Sequence, residues 1–202
     1  MNWEIPRDQI ADWVPHVLSG TGDRVWKGHY HGATVRMEEV APETDLQNLT
    51  SINSRIMHPN ICLFMGTTTS ESGQKMIVLE DWGIGTLHDA IHIGKVEFTV
   101  TQKIRILADI VQALLYLHPQ PVHLSTMNVY LDSYDDDDVR AKLGGQWWNP
   151  LSESANLRSL ARELFKSTEE QKRTGGLLDT ISRDCSSEDD LRQVHRVLKQ
   201  SF

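Results

Sequence analysis

Two histidines four residues apart, His88 and His92, have the spacing that puts two imidazoles on one face of a helix, where they could hold a metal ion together with a third ligand. Without that third ligand they read as a surface pair, and no metal is expected. The other histidines, His16, His29, His31, His58, His118, His123 and His195, show no compact ligand spacing. The run Asp135-Asp136-Asp137-Asp138 has the charge for a divalent cation, but an EF-hand alternates its ligands and carries a glycine at a fixed offset. Both features are missing, so a solvated turn is expected. Cys62 and Cys185 stand in apolar contexts and read as buried free thiols, which implies a reducing compartment.

The elements that must position these groups follow from hydrophobic periodicity. Residues 25–32 and 34–36 alternate bulky and polar side chains around a Gly-containing turn and predict a hairpin. Residues 45–57 carry Leu46, Leu49, Ile52 and Ile56 at three- and four-residue steps, an apolar stripe on one helical face. Met76-Ile77-Val78-Leu79-Glu80 predicts a buried strand, and Gly83 and Gly85 break the pattern before a short helix. Residues 101–118 form the clearest helix, stopped by Pro119 and Pro121. Residues 129–131 and 139–143 predict a second hairpin. Segments 154–166, 176–183 and 188–200 read as amphipathic helices, and 168–176 as a linker.

The totals narrow the function. A chain of 202 residues can bury a sizeable core, and 39% hydrophobic with 24% charged residues is an ordinary globular composition. Acidic residues outnumber basic ones 28 to 20, so an electrostatic footprint on nucleic acid or anionic lipid is not expected and protein partners are favoured. The first residues show no basic region followed by an apolar run, and the best apolar stretch, 104–117, is interrupted by Arg105, Asp109 and Gln112. Neither a signal peptide nor a membrane span is expected, and the expected location is cytoplasmic.

His58-Pro59-Asn60-Ile61-Cys62-Leu63-Phe64-Met65-Gly66 resembles the loop into the fourth strand of a Raf-type protein kinase. Trp3-Glu4-Ile5-Pro6 and Val25-Trp26-Lys27-Gly28 resemble the segment before the first strand and the second strand of the same family. Tyr116-Leu117-His118 with Val122-His123 looks like the entry to the catalytic loop, Asn128-Val129-Tyr130-Leu131-Asp132 like the strand after it, and residues 177–198 like the last two helices. The chain is identified on these segments as a member of the tyrosine-kinase-like group, whose inactive members include kinase suppressor of Ras and integrin-linked kinase. The resemblance implies an α+β, condensed two-lobe protein-kinase-like fold: a β-rich N-lobe with one helix over residues 1–82, ending at the hinge, and a mainly helical C-lobe over 83–202 that lacks a full activation segment and the helix αG.

Laid on the family pattern, the catalytic positions depart from it. The phosphate-covering loop reads Leu18-Ser19-Gly20-Thr21-Gly22-Asp23, where only Gly20 keeps a family glycine. The lysine that should meet the phosphates is Met37, or Arg36 if the hairpin is one residue shorter. The glutamate that orients it falls on Leu49. Ser125 stands at the catalytic aspartate and Gly145 at the metal-binding carboxylate, while Asn128 matches the metal-binding asparagine only if the loop has lost two residues. The adenine pocket would be lined by Val25, Val35 and Leu79, with Tyr130 at its floor, and Glu80 and Asp81 would lie on the hinge. Of the apolar stack that links the lobes, Phe64 and His123 persist, whereas Asn53 and Gln146 replace two members and could hydrogen-bond to each other. Trp147 and Trp148 are candidates for an exposed protein-binding patch. Met57 stands where Raf-type dimers use an arginine.

The expectation is therefore a catalytically inactive kinase-like domain, not an enzyme, acting as a scaffold or allosteric protein-binding module in signalling, with partners such as an active kinase or an adaptor. The alternatives are an atypical or residual ATP-dependent protein kinase and a nucleotide sensor without phosphotransfer. No cofactor is required by the first reading; the candidates for weak ATP binding are Gly20, Val25, Val35, Leu79, Asp81, Asn128 and Tyr130.

Overall fold

The computed structural model describes residues 3–17, 24–134, 138–145, 147, 156–165, 181 and 187–201. It divides into two compact units, Met1–Asp81 and Trp82–Phe202. The first is sheet-rich and the second carries most of the helix, an α+β architecture.

In the first unit, β1 (Ile10–Val17), β2 (Arg24–Tyr30), β3 (Ala33–Glu39), β4 (Phe64–Thr69) and β5 (Lys75–Glu80) form one antiparallel sheet in the order β1-β2-β3-β5-β4. The turn between β2 and β3 puts His31 and Gly32 at φ of 48° and 80°, the left-handed region that glycine enters without strain. One face of the sheet packs Val35, Met37, Met76 and Val78 with Ile5 and Ile10 into a core cluster, flanked by Trp13 and Trp26. Helix α1 (Leu46–Asn53) starts at Asp45, whose carboxylate accepts the Gln47 and Asn48 N–H groups at 3.1 Å each, a side-chain N-cap. It is shorter than the predicted 45–57, and its buried residues are Leu49 and Asn53.

In the second unit, α2 (Val100–Leu117) has the apolar stripe that the sequence predicts. A capping box closes its first turn: Thr99 Oγ1 accepts the Gln102 N–H, and Gln102 Oε1 accepts the Thr99 N–H. A small antiparallel sheet runs β6 (Gly85–Thr86), β7 (Val129–Leu131), β8 (Ala141–Leu143). Asp109 of α2, almost fully buried, accepts hydrogen bonds from the Arg140 guanidinium and from the Ala141 N–H, and so ties α2 to β8. Gly83 sits at φ 80° against β7: a Cβ there would lie 2.1 Å from the Leu131 carbonyl oxygen, which accepts the Ile84 N–H at 2.8 Å.

A π-helical turn, Asp89–Ile93, follows β6, and helices α3 (Leu157–Leu164) and α4 (Glu188–Lys199) complete the described unit. Asn156 caps α3, and Ser187 caps α4. Of the predicted helix 176–183 only Ile181 is described, helical and buried. The linker at 168–176, the region of the shortened activation segment and Cys185 lie outside the described residues; Cys62 is a buried free thiol. Among the described residues no helix is long and apolar enough to cross a membrane.

Candidate functional site

Strand register decides which of the predicted residues share a surface in the first unit. Directly paired residues of an antiparallel sheet point to the same face, and neighbours along a strand point to opposite faces. Val25 pairs with Glu38, Lys27 with Arg36, and Arg36 with Leu79, so Val25, Lys27, Arg36, Glu38 and Leu79 share one face. Trp26 pairs with Met37 and Gly28 with Val35, which places Met37 and Val35 on the other face, in the core cluster. Of the two positions considered for the phosphate-binding cation, Arg36 is thus the one beside Val25 and Leu79. Val35, expected next to those two residues, is turned away from them by the two-residue period of β3.

Arg36 and Glu38 form a pair that the sequence reading missed. The Arg36 side chain is only 2% exposed, and its Nε donates to Glu38 Oε1 at 2.8 Å. Leu49, the residue expected at the family's glutamate position, is a buried apolar residue of α1. The carboxylate that Arg36 meets stands two residues along the same strand. The alternation Arg36-Met37-Glu38 was the available signal, since residues i and i+2 of a strand lie side by side. A buried ion pair with a hydrogen bond is the form in which a charge persists inside a protein.

At the end of this sheet Asp81 accepts from Lys27 Nζ at 2.9 Å, and its N–H donates to Thr34 O at 3.1 Å. Glu80 Oε1 accepts the Leu63 N–H at 3.0 Å. Both acids therefore hold local structure. The Asn53 amide donates to Leu49 O within α1 at 2.9 Å, which engages it on its own helix; Gln146, its expected partner, lies outside the described residues, as does Gly20.

In the second unit the segment 123–128 is a tight, self-capped turn. Asn128 Oδ1 accepts the Ser125 N–H at 2.9 Å, and Asn128 Nδ2 donates to His123 O at 2.8 Å. Its own carbonyl accepts the Gly144 N–H at 2.8 Å, which joins the turn to the end of β8 beside Gly145. Tyr130 follows in β7 and is buried. Burial holds the His123 imidazole below its ordinary pKa, and its Nδ1 finds no hydrogen-bond partner among the described residues, so the ring is neutral at physiological pH. Trp147 O accepts the His123 N–H at 2.6 Å and the Trp147 side chain is 3% exposed. Trp147 is thus a core residue rather than part of an exposed patch, because the indole packs inward; Trp148 lies outside the described residues.

These groups also bear on the magnesium that the family uses at the phosphates. The ion needs a near-octahedral set of oxygen ligands, usually including a carboxylate. Gly145 has no side chain to offer, and Asn128 Oδ1 already accepts one hydrogen bond, leaving one acceptor position. The described residues do not fit a magnesium pair, and no step is assigned to one.

A family profile described as protein tyrosine and serine/threonine kinase matches residues 24–141, more than half of the chain. The chain belongs to the protein kinase family. It is similar to the probable serine/threonine-protein kinase gdt2 of Dictyostelium discoideum, with 34% identity over 107 residues, covering 51% of this chain and 6% of that protein. Another probable serine/threonine-protein kinase of the same organism is 29% identical over 149 residues, 70% of this chain and 24% of the relative. The dual specificity protein kinase shkA of Dictyostelium discoideum is 30% identical over 125 residues, 56% of this chain and 24% of that protein. The chain thus spans a quarter or less of the length of these relatives. Their names correct the expectation that this chain is not an enzyme: relatives called serine/threonine and dual-specificity kinases point to an enzyme. The physical weakness of that expectation was that it counted losses position by position and weighed Arg36 without its pairing to Glu38.

Proposed function

We propose that this chain is an atypical ATP-dependent protein kinase domain in which Arg36 supplies the positive charge for the nucleotide phosphates, and which also binds protein partners in signalling. The observation that carries the proposal is the buried Arg36–Glu38 pair on the sheet face shared with Val25 and Leu79. Arginine is permanently charged, and its planar fork matches phosphate oxygens, so it can take over the electrostatic task of a lysine with different geometry. Glu38, adjacent on the same face, orients the guanidinium as a glutamate from a neighbouring helix would. Val25 and Leu79 are the buried apolar neighbours of the pair on that face, where the resemblance puts the adenine ring.

The test is transfer of the labelled γ-phosphate of ATP to a generic protein substrate, with magnesium, with manganese and with EDTA. The wild-type chain is expected to transfer phosphate above background. Replacing the pair together, as Arg36→Met with Glu38→Leu, is expected to lower the rate by roughly 10²-fold, the cost of removing one electrostatic donor. A folded wild-type chain that transfers nothing in any of the three conditions would overturn the catalytic half of the proposal.

The protein-binding half starts from Ile84 and Ile93 of the second unit, large apolar side chains 60% and 58% exposed and so available to a partner. Ile84→Asp with Ile93→Asp is expected to abolish co-purification of a partner kinase or adaptor while leaving the melting temperature unchanged.

A further inference from the structure

We propose that His88, His92 and Glu163 form a zinc site in the second unit. His88 stands at the start of the π-helical turn Asp89–Ile93, and His92 lies within it. Their rings sit with centroids 4.4 Å apart. Glu163, 71 residues further on in α3, brings Oε1 to 2.6 Å from His92 Nε2. One ligand atom from each of the three residues lies within 4.8 Å of the others. The third ligand that the sequence could not supply to the histidine pair is thus delivered by a different helix.

The donor set is chemically specific. Two imidazole nitrogens and one carboxylate oxygen suit zinc, and three protein ligands leave a fourth position for water. At Zn–N and Zn–O distances of 2.0–2.1 Å, tetrahedral ligand atoms stand about 3.3 Å apart. The His92–Glu163 contact must therefore open by about 0.7 Å, and the longest separation close by up to about 1.5 Å, changes that side-chain torsions can supply. The hydrogen bond between His92 and Glu163 shows that the two groups already share one electrophile, a proton, which the metal would replace. The His92 and Glu163 side chains are 40% and 31% exposed, so the ion has a route in from solvent.

Behind Glu163 stands a second layer. Thr126 Oγ1, in a buried residue, donates to Glu163 Oε1 at 3.4 Å. Thr126 belongs to the turn that carries Ser125 and Asn128. A zinc ion would therefore clip the π-helical turn to α3 and, through Thr126, brace the 123–128 turn. π-helical turns occur frequently at functional sites, and hydroxyl groups hydrogen-bonded to a ligating carboxylate orient it for the metal. The site is independent of the nucleotide reading above, since none of its three ligands lies in the first unit.

The experiment uses the full chain stripped with EDTA and dialysed against Zn2+, with bound metal counted by mass spectrometry and Co2+ used as a spectroscopic substitute. One zinc per chain is expected, together with the intense visible absorption of four-coordinate cobalt. His88→Ala with His92→Ala is expected to abolish both. Thr126→Val is expected to weaken zinc binding by about 10–100-fold, the usual effect of an outer partner of a ligand. His29→Ala, in the first unit, controls for binding at surface histidines and is expected to change nothing. No zinc on the wild type, or a stoichiometric ion retained by the double histidine variant, overturns the proposal, as does equal loss in His29→Ala. Unchanged metal-free melting temperatures for the variants separate lost ligation from lost folding.

Discussion

The β3 strand of the first unit and the 123–128 turn of the second, the two segments expected to carry catalytic charge, hold their polar groups in opposite ways. In β3 the charge remains: Arg36 is buried and hydrogen-bonded to a carboxylate two residues away. The turn from His123 to Asn128 holds no carboxylate, and Asn128 directs both ends of its amide to the backbone. The contrast has an electrostatic basis. A buried cation needs its counter-charge or it destabilises the fold, so the two survive or disappear together. A partly exposed carboxylate in a loop has no such tie, and its place can be filled by any group that closes the turn.

The strongest way to break this comparison is to separate the buried pair. Glu38→Leu alone takes from Arg36 the carboxylate that its Nε donates to and is expected to lower stability by up to about 3–5 kcal/mol, whereas Arg36→Met with Glu38→Leu should return most of it. Urea unfolding followed by tryptophan fluorescence measures both. A single variant no worse than the double would show that the pair is not the tie described. The next effect concerns the turn. Asn128→Ala removes an acceptor and a donor and leaves the Ser125 N–H and His123 carbonyl to find water, which is expected to cost about 1–3 kcal/mol. Were the variant as stable as wild type, the turn would have kept Asn128 for a reason other than structure.

The smallest effect is a pH dependence confined to the second unit. Burial depresses the pKa of His123 and of His195, the latter helped by Lys199. Between the depressed folded values and the ordinary value of about 6.5 the unfolded chain binds more protons, so stability rises with pH across that window. Their contribution is complete above pH 6.5 and declines as the solution is acidified below it. Melting temperatures measured from pH 7.5 down to 5 should fall, and His195→Gln should fall less steeply; equal slopes would remove His195 from the account.

Much of the fold was legible because its causes are local. The apolar stripe of α2 and the prolines after it, the turn at Gly32, and the short run at Met76–Glu80 each carry their structure in neighbouring residues. The site was legible only in part. Choosing between Arg36 and Met37 required the register Lys27↔Arg36, which is a property of two strands, and the same register removed Val35 from the surface that carries Leu79. Glu38 was overlooked because the family pattern directs attention to a distant helix. Glu163 could not be found from His88 and His92, since no local pattern in sequence links residues 71 positions apart.

Gly83 sets a limit on how far such a chain can drift. Every single-base change in a glycine codon that alters the residue introduces a Cβ or ends the chain, and at this position a Cβ would collide with the Leu131 carbonyl oxygen at a backbone angle that already disfavours side chains. Gly83 tolerates no such change, so among diverged copies of this domain it is a position where purifying selection should remain strong.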